Sequence, residues 1–221
     1  QEDYFPCVVY DKHQFNGDGE LAFYKMWHQG ENGTIAVSMS DDGKDWTLLG
    51  ETNLPQNAAF HPCVVYDRGG FKKNNGNYRI WFWTGYVGTN ASVIQFAESK
   101  DGITWKTPVP IIESSSQPLV DGITPGYFYH LYGPGFVSYN PNAKPTPGMP
   151  CSYPYVMFYD TSSEGFGPEI SVMQIALAYS TDGKHWSRYG SEPVLIPSGG
   201  DTDWDGTHAF RPSIIKQDGT Y

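Results

Sequence analysis

The stretch AESKDGITWK, residues 97–106, has two relatives in the same chain: SMSDDGKDW, ending at Trp46, and AYSTDGKHW, ending at Trp186. All three share Ser-x-Asp-Gly-x-x-Trp. In such a turn glycine takes a positive φ at no steric cost, and the aspartate accepts hydrogen bonds from backbone amides close by in sequence. The tryptophan brings a large apolar face that supplies core area between neighbouring sheets. A metal ligand or catalytic acid is the alternative role for the aspartate. Three copies, however, put three aspartates at three separate turns, so the repeat reads as a structural joint.

Working outward from each turn gives the rest of the unit. The runs TIAVSMS, VIQFAES and QIALAYS precede the three Asp-Gly pairs; ahead of them stand ELAFYKMWHQG, NYRIWFWTGY and YPYVMFYDTS. Further upstream come FPCVVYD, HPCVVYD and GPGFVSYN, with a fourth copy in RPSIIKQDGTY. All are apolar or alternating, rich in β-branched and aromatic residues, and read as strands. Short closing strands such as TLLGE and PVLIP follow. Each unit is therefore expected to be a four-stranded antiparallel propeller blade, and the fold class all-β. Proline is expected at the first position of the innermost strand, where its missing N–H is tolerated. The expected single propeller domain has blades over 4–58, 59–120 and 127–198, with an incomplete fourth over 208–221. The segment NPNAKPTPGMPCSY reads as an ordered excursion at one rim. Three blades and one strand do not close a ring, so the chain is expected to be part of a longer one, with completion by another chain as the alternative.

Composition agrees. The 221 residues include 25 Gly, 17 Pro, 12 Phe, 16 Tyr and 7 Trp, a mixture suited to many strands and turns. A formal charge of −10 argues against nucleic acid as a partner, because phosphate binding rests on Lys and Arg. No run of about 18 to 20 apolar residues exists, so no membrane-crossing helix is expected. A chain beginning with Gln1 and not Met is expected to be a mature or trimmed product, a start that carries no address of its own; the sequons at Asn32 and Asn90 would accept glycans in a secretory pathway, and the expected location is secreted, extracellular or periplasmic. Cys7, Cys63 and Cys151 are too few for a disulfide framework, match no zinc spacing and read as buried structural thiols. No G-x-S-x-G, H-E-x-x-H or P-loop is present, and no nucleotide cofactor is expected.

The phrases HPCVVYD, YRIWFWTGY and FAESKDGITW resemble the five-bladed propeller superfamily of glycoside hydrolases, which includes families 32, 43, 62, 68 and 130. Essentially the whole chain shares the likeness. A six- or seven-bladed sialidase-like propeller is the competing resemblance, although its Asp box carries one more residue between Asp and Gly. The superfamily implies a site at the mouth of the central channel, where the innermost strands converge and two carboxylates flank a glycosidic bond. In family 43 one of these is the Asp of a blade-opening Asp-Pro pair. The residues before the corresponding prolines are Phe5, His61, Gly133 and Arg211, none of them acidic.

The candidate acid and base are therefore Asp3 and Asp205, from the acidic segments Glu2-Asp3 and Asp201, Asp203, Asp205. The alternative for these segments is solvation, turn capping or a structural calcium ion. His61, His208, Arg211 and Tyr132 would complete a polar ring suited to sugar hydroxyls or a carboxylated glycan; structural imidazoles are the alternative for the histidines. Tyr127, Tyr129, His130 and Tyr132 would stack on pyranose rings, or pack as an ordinary strand. The implied function is a glycoside hydrolase-like, carbohydrate-active propeller whose partner is an oligosaccharide or polysaccharide. The alternative is a non-catalytic glycan-binding or scaffold propeller.

Overall fold

The structure, a computed structural model, describes residues 4–15, 21–56, 59–71, 76–85, 92–113, 130–162, 172–200, 203, 206 and 208–214. It holds three four-stranded antiparallel meanders. The first comprises β1 (Tyr4–Tyr10), β2 (Tyr24–Gln29), β3 (Ile35–Ser40) and β4 (Thr47–Glu51). The second comprises β5 (Phe60–Tyr66), β6 (Tyr78–Gly85), β7 (Ser92–Ser99) and β8 (Val109–Glu113). The third comprises β9 (His130–Tyr139), β10 (Tyr155–Ser162), β11 (Met173–Ser180) and β12 (Trp186–Arg188). The chain divides into two compact units: residues 1–84 with 95–110, and 85–94 with 111–221.

The three Asp-Gly turns share one set of bonds. Ser40 Oγ accepts the N–H groups of Asp42 and Gly43, at 3.2 and 2.9 Å, and donates to Asp42 Oδ1. Asp42 Oδ1 in turn accepts the N–H groups of Lys44 and Asp45 at 2.8 and 2.9 Å. Ser99 and Asp101 make the same set. So do Ser180 and Asp182. Gly43, Gly102 and Gly183 lie at φ of +75°, +82° and +79°. The bonds common to the three turns span two or three residues, which is why the turn can be read from a seven-residue pattern. Burial raises the pKa of Asp182, but the bonds from His185, Lys184 and Ser180 outweigh it and hold the carboxyl well below the usual range.

In the first unit the two sheets share one core, in which Trp27, Ile35, Val37 and Phe15 meet Val64, Tyr78, Ile80, Phe82 and Trp105. Of the three repeat tryptophans Trp105 alone is buried, whereas Trp46 and Trp186 are half-buried. Asn53 fixes Trp105 by a reciprocal pair of bonds with its backbone N–H and C=O, at 2.7 and 2.9 Å. Two cations lie inside. Lys25 reaches Tyr78 Oη and the Asp101 carbonyl, with its ammonium 5.0 Å from the centre of the Phe15 ring. Arg79 lies over Phe71 at 4.4 Å and bonds Glu98 Oε1 at 3.0 Å. Each follows the tyrosine that opens the second strand of its sheet, so the pair is itself a repeated feature.

Several expectations change. The prolines sit inside their strands: Pro6 and Pro62 fall at bulges, with the register shifting between Tyr4 and Cys7 and between Phe60 and Cys63. A bulge residue is excused from the ladder, so the missing N–H costs nothing there. In the third sheet the closing strand is Trp186–Arg188, and PVLIP contributes a single bridge from Leu195 to Ile175. Residues 211–214 of the fourth copy carry no strand assignment. Of the cysteines Cys63 is buried, but Cys7 is half-buried and Cys151 exposed. The excursion over 140–153 is ordered by a short 3-10 turn, Pro150–Ser152, and by bonds of the Ser152 hydroxyl with Thr146 and Met149.

Candidate functional site

The proline-led segments share a backbone feature that the sequence pattern does not announce. The residues before proline, Phe5, His61 and Arg211, lie at φ of 58°, 55° and 58°, and Gly133 at 115°. Left-handed backbone costs a non-glycine residue of the order of 1–3 kcal/mol, and clusters at sites that must aim a side chain. At Phe5 and His61 the bulge supplies the cause: two residues stand where the partner strand offers one, so the pre-proline residue is turned out of the pleat.

In the first unit this brings Phe5 and His61 together, with ring centres 4.0 Å apart. His61 also stacks on Trp83 at 5.6 Å and 25°. His61 is 7% exposed, so it stands as an aromatic-packed side chain rather than an open ligand.

In the second unit the end of β10 gathers the polar groups. Asp160 faces Gly133 on β9 and Ile175 on β11, and Ser162 faces His130 and Met173. Asp160 is fully buried. Its Oδ1 accepts the Arg211 backbone N–H at 2.9 Å, and Arg211 Nη1 stands 3.5 Å from Oδ2, a charge contact too long for a hydrogen bond. Burial pushes the Asp160 carboxyl up to about 6, against the opposing pull of the Arg211 amide and guanidinium. Burial likewise lowers Arg211, with Asp160 offsetting it. The Arg211 side chain remains 28% exposed. Tyr132 bonds Ser162, and burial raises its hydroxyl pKa against that bond. His208 Nδ1 accepts the Met173 N–H at 3.3 Å, leaving Nε2 to carry the proton of the neutral ring. Gly135 lies against Pro212 so closely that a Cβ would meet the ring at 2.3 Å, which seats the fourth proline segment on β9.

Of the residues singled out from sequence, Tyr132, His208 and Arg211 are thus all placed around the β10 end, and His61 lies in the other unit. Asp3, Asp205 and Tyr129 fall outside the described residues, as does Tyr127. Among the described residues no group of three or more metal-ligating side chains occurs. Sequence reasoning passed over Asp160 and Trp83. The signal for Asp160 is an acid inside the otherwise apolar run YVMFYDTS; Trp83 has none beyond its aromatic neighbours.

Three blade-like meanders with Asp-Gly joints and bulged, proline-bearing edge strands define a β-propeller fold of the type found in glycoside hydrolases. No protein-family model matches the chain. It is 26% identical over 189 residues, 81% of its length, to the A type blood N-acetyl-alpha-D-galactosamine deacetylase of Flavonifractor plautii, of which it spans 21%. A solved N-acetylgalactosamine deacetylase from F. plautii, in complex with blood group B trisaccharide, superposes with a TM-score of 0.57 at 17% identity. That match covers 95% of this chain and 57% of the other. A structure described as a glycoside hydrolase gives 0.53 at 16% identity, over 89% of this chain and 60% of the other.

Proposed function

We propose that this chain is part of a carbohydrate-active propeller protein that hydrolyses a bond in a glycan. The observation that carries the reading is that sequence likeness and fold likeness both lead to proteins named as N-acetylgalactosamine deacetylases of F. plautii. The β10 end fits it. Arg211, Tyr132 and His208 carry hydrogen-bonding groups suited to sugar hydroxyls or a carbonyl. In the glycosidic form of the reaction Asp3 and Asp205 are the acid and base, one protonating the leaving oxygen while the other activates water or attacks the sugar.

A second reading, hydrolysis of an N-acetyl amide on a sugar, is favoured by the names of those same relatives. It also suits inner strands whose pre-proline residues are not acids. The two differ in product. Incubation of the purified protein with neutral and N-acetylated oligosaccharides, read for released reducing sugar and released acetate, separates them. Reducing sugar lost in Asp205→Asn supports the glycosidic form, and acetate supports the amide form. Binding with neither product, unchanged by Asp205→Asn, overturns hydrolysis and leaves a glycan-binding propeller.

A further inference from the structure

Cys7 and Cys63 occupy the same place in successive repeats. Each is the residue after the bulge proline, paired in register with Trp27 and Trp81 respectively. Their strands, β1 and β5, lie side by side within the first unit. The Cys7 sulfur meets the backbone of the residue next to Cys63: it accepts the Val64 N–H at 3.1 Å and lies 3.7 Å from the Val64 carbonyl. The two thiols also share a hydrogen bond. That bond and the Val64 amide lower the Cys7 pKa, against the effect of burial. A thiol so placed is a ready nucleophile, and its neighbour is already in contact with it. Both are free cysteines here.

We infer that Cys7 and Cys63 form a disulfide that ties β1 to β5 when the protein meets a small-molecule disulfide such as oxidised glutathione. The Cys7 thiolate attacks one glutathione sulfur, forming a mixed disulfide and expelling one glutathione thiolate. Cys63, as thiolate, then attacks the Cys7 sulfur; the protein disulfide forms and the second glutathione thiolate leaves. The two protons given up by the protein thiols end on the two glutathiones, and the two electrons lost by the protein reduce one disulfide to two thiols. Because each cysteine lies two residues beyond a left-handed pre-proline residue, the bond would also pin the Phe5–His61 contact.

The test uses the Cys151→Ser protein, which removes the exposed third thiol. It is treated, folded and at neutral pH, with oxidised glutathione, then alkylated and mapped without reduction. The expected product is two hydrogens lighter than the starting protein, yields a cross-linked peptide pair containing Cys7 and Cys63, and unfolds at higher urea than the reduced form. Adding Cys63→Ser should arrest the reaction at a glutathione adduct on Cys7. A stable adduct on Cys7 with Cys63 still present, or recovery of both thiols unreacted, overturns the inference. The map of the Cys151→Ser protein decides this even if the double variant fails to fold.

Discussion

Gly43 and Gly102 hold the same place in the repeat and the same backbone conformation, at φ of +75° and +82°, yet alanine should affect them unequally. In either turn the left-handed backbone itself costs alanine about 1–2 kcal/mol. At Gly43 a Cβ would meet Tyr24 at 3.6 Å, an ordinary contact, so Gly43→Ala should stop near that figure. At Gly102 it would stand 2.7 Å from Cζ2 of Trp27. Trp27 has little room to yield: it is fully buried, and its Nε1 donates to the Gly102 carbonyl at 2.7 Å. Overpacking of a filled core adds about 1–3 kcal/mol, so Gly102→Ala should cost about 2–5 kcal/mol in all. Urea unfolding followed by tryptophan fluorescence measures both, and the difference between the variants isolates the inter-sheet contact. Equal losses would refute the claim that the second turn is a packing element against the first sheet.

Two further outcomes follow from buried charge. Arg79 and Glu98 pair with side chains each 5% exposed, so Glu98→Ala should cost about 3–5 kcal/mol by removing the carboxylate from a buried ion pair, which urea titration would reveal. Asp160 titrates near 6 in the folded protein against about 3.9 for an unperturbed Asp, so the folded state holds its proton more tightly. Its contribution to stability is then complete below about pH 4 and is lost as pH rises through about 6. Asp160→Asn should remove that step from a plot of melting temperature against pH; an unchanged step would assign it to other groups.

How much was legible depended on the range of the forces involved. The Asp-Gly turns were readable because every bond in them spans at most a few residues and needs only Ser, Asp and Gly at fixed offsets. Strand order followed as meanders, since short links favour neighbouring antiparallel pairs. The closing strand of the third sheet was misplaced because PVLIP is the apolar, β-branched run, whereas pairing with β11 selects Trp186–Arg188. At the site, Arg211 and His208 were nominated by residue type and closeness to a proline. Their partners, Asp160 and Met173, are 51 and 35 residues away and carry no local mark of the pairing.

By itself the sequence determined the repeat, the β class, the number of blade units and the glycine-dependent turns, because period and turn chemistry are local properties. The tertiary structure alone decided which repeat glycine abuts a tryptophan, and which repeat tryptophan is buried. It also decided that Asp160 loses its water and meets Arg211, and that two cysteines 56 positions apart in the sequence touch. Those are matters of burial and of contact between strands distant along the chain, where a carboxylate or a thiol acquires its reactivity from neighbours its own segment does not contain.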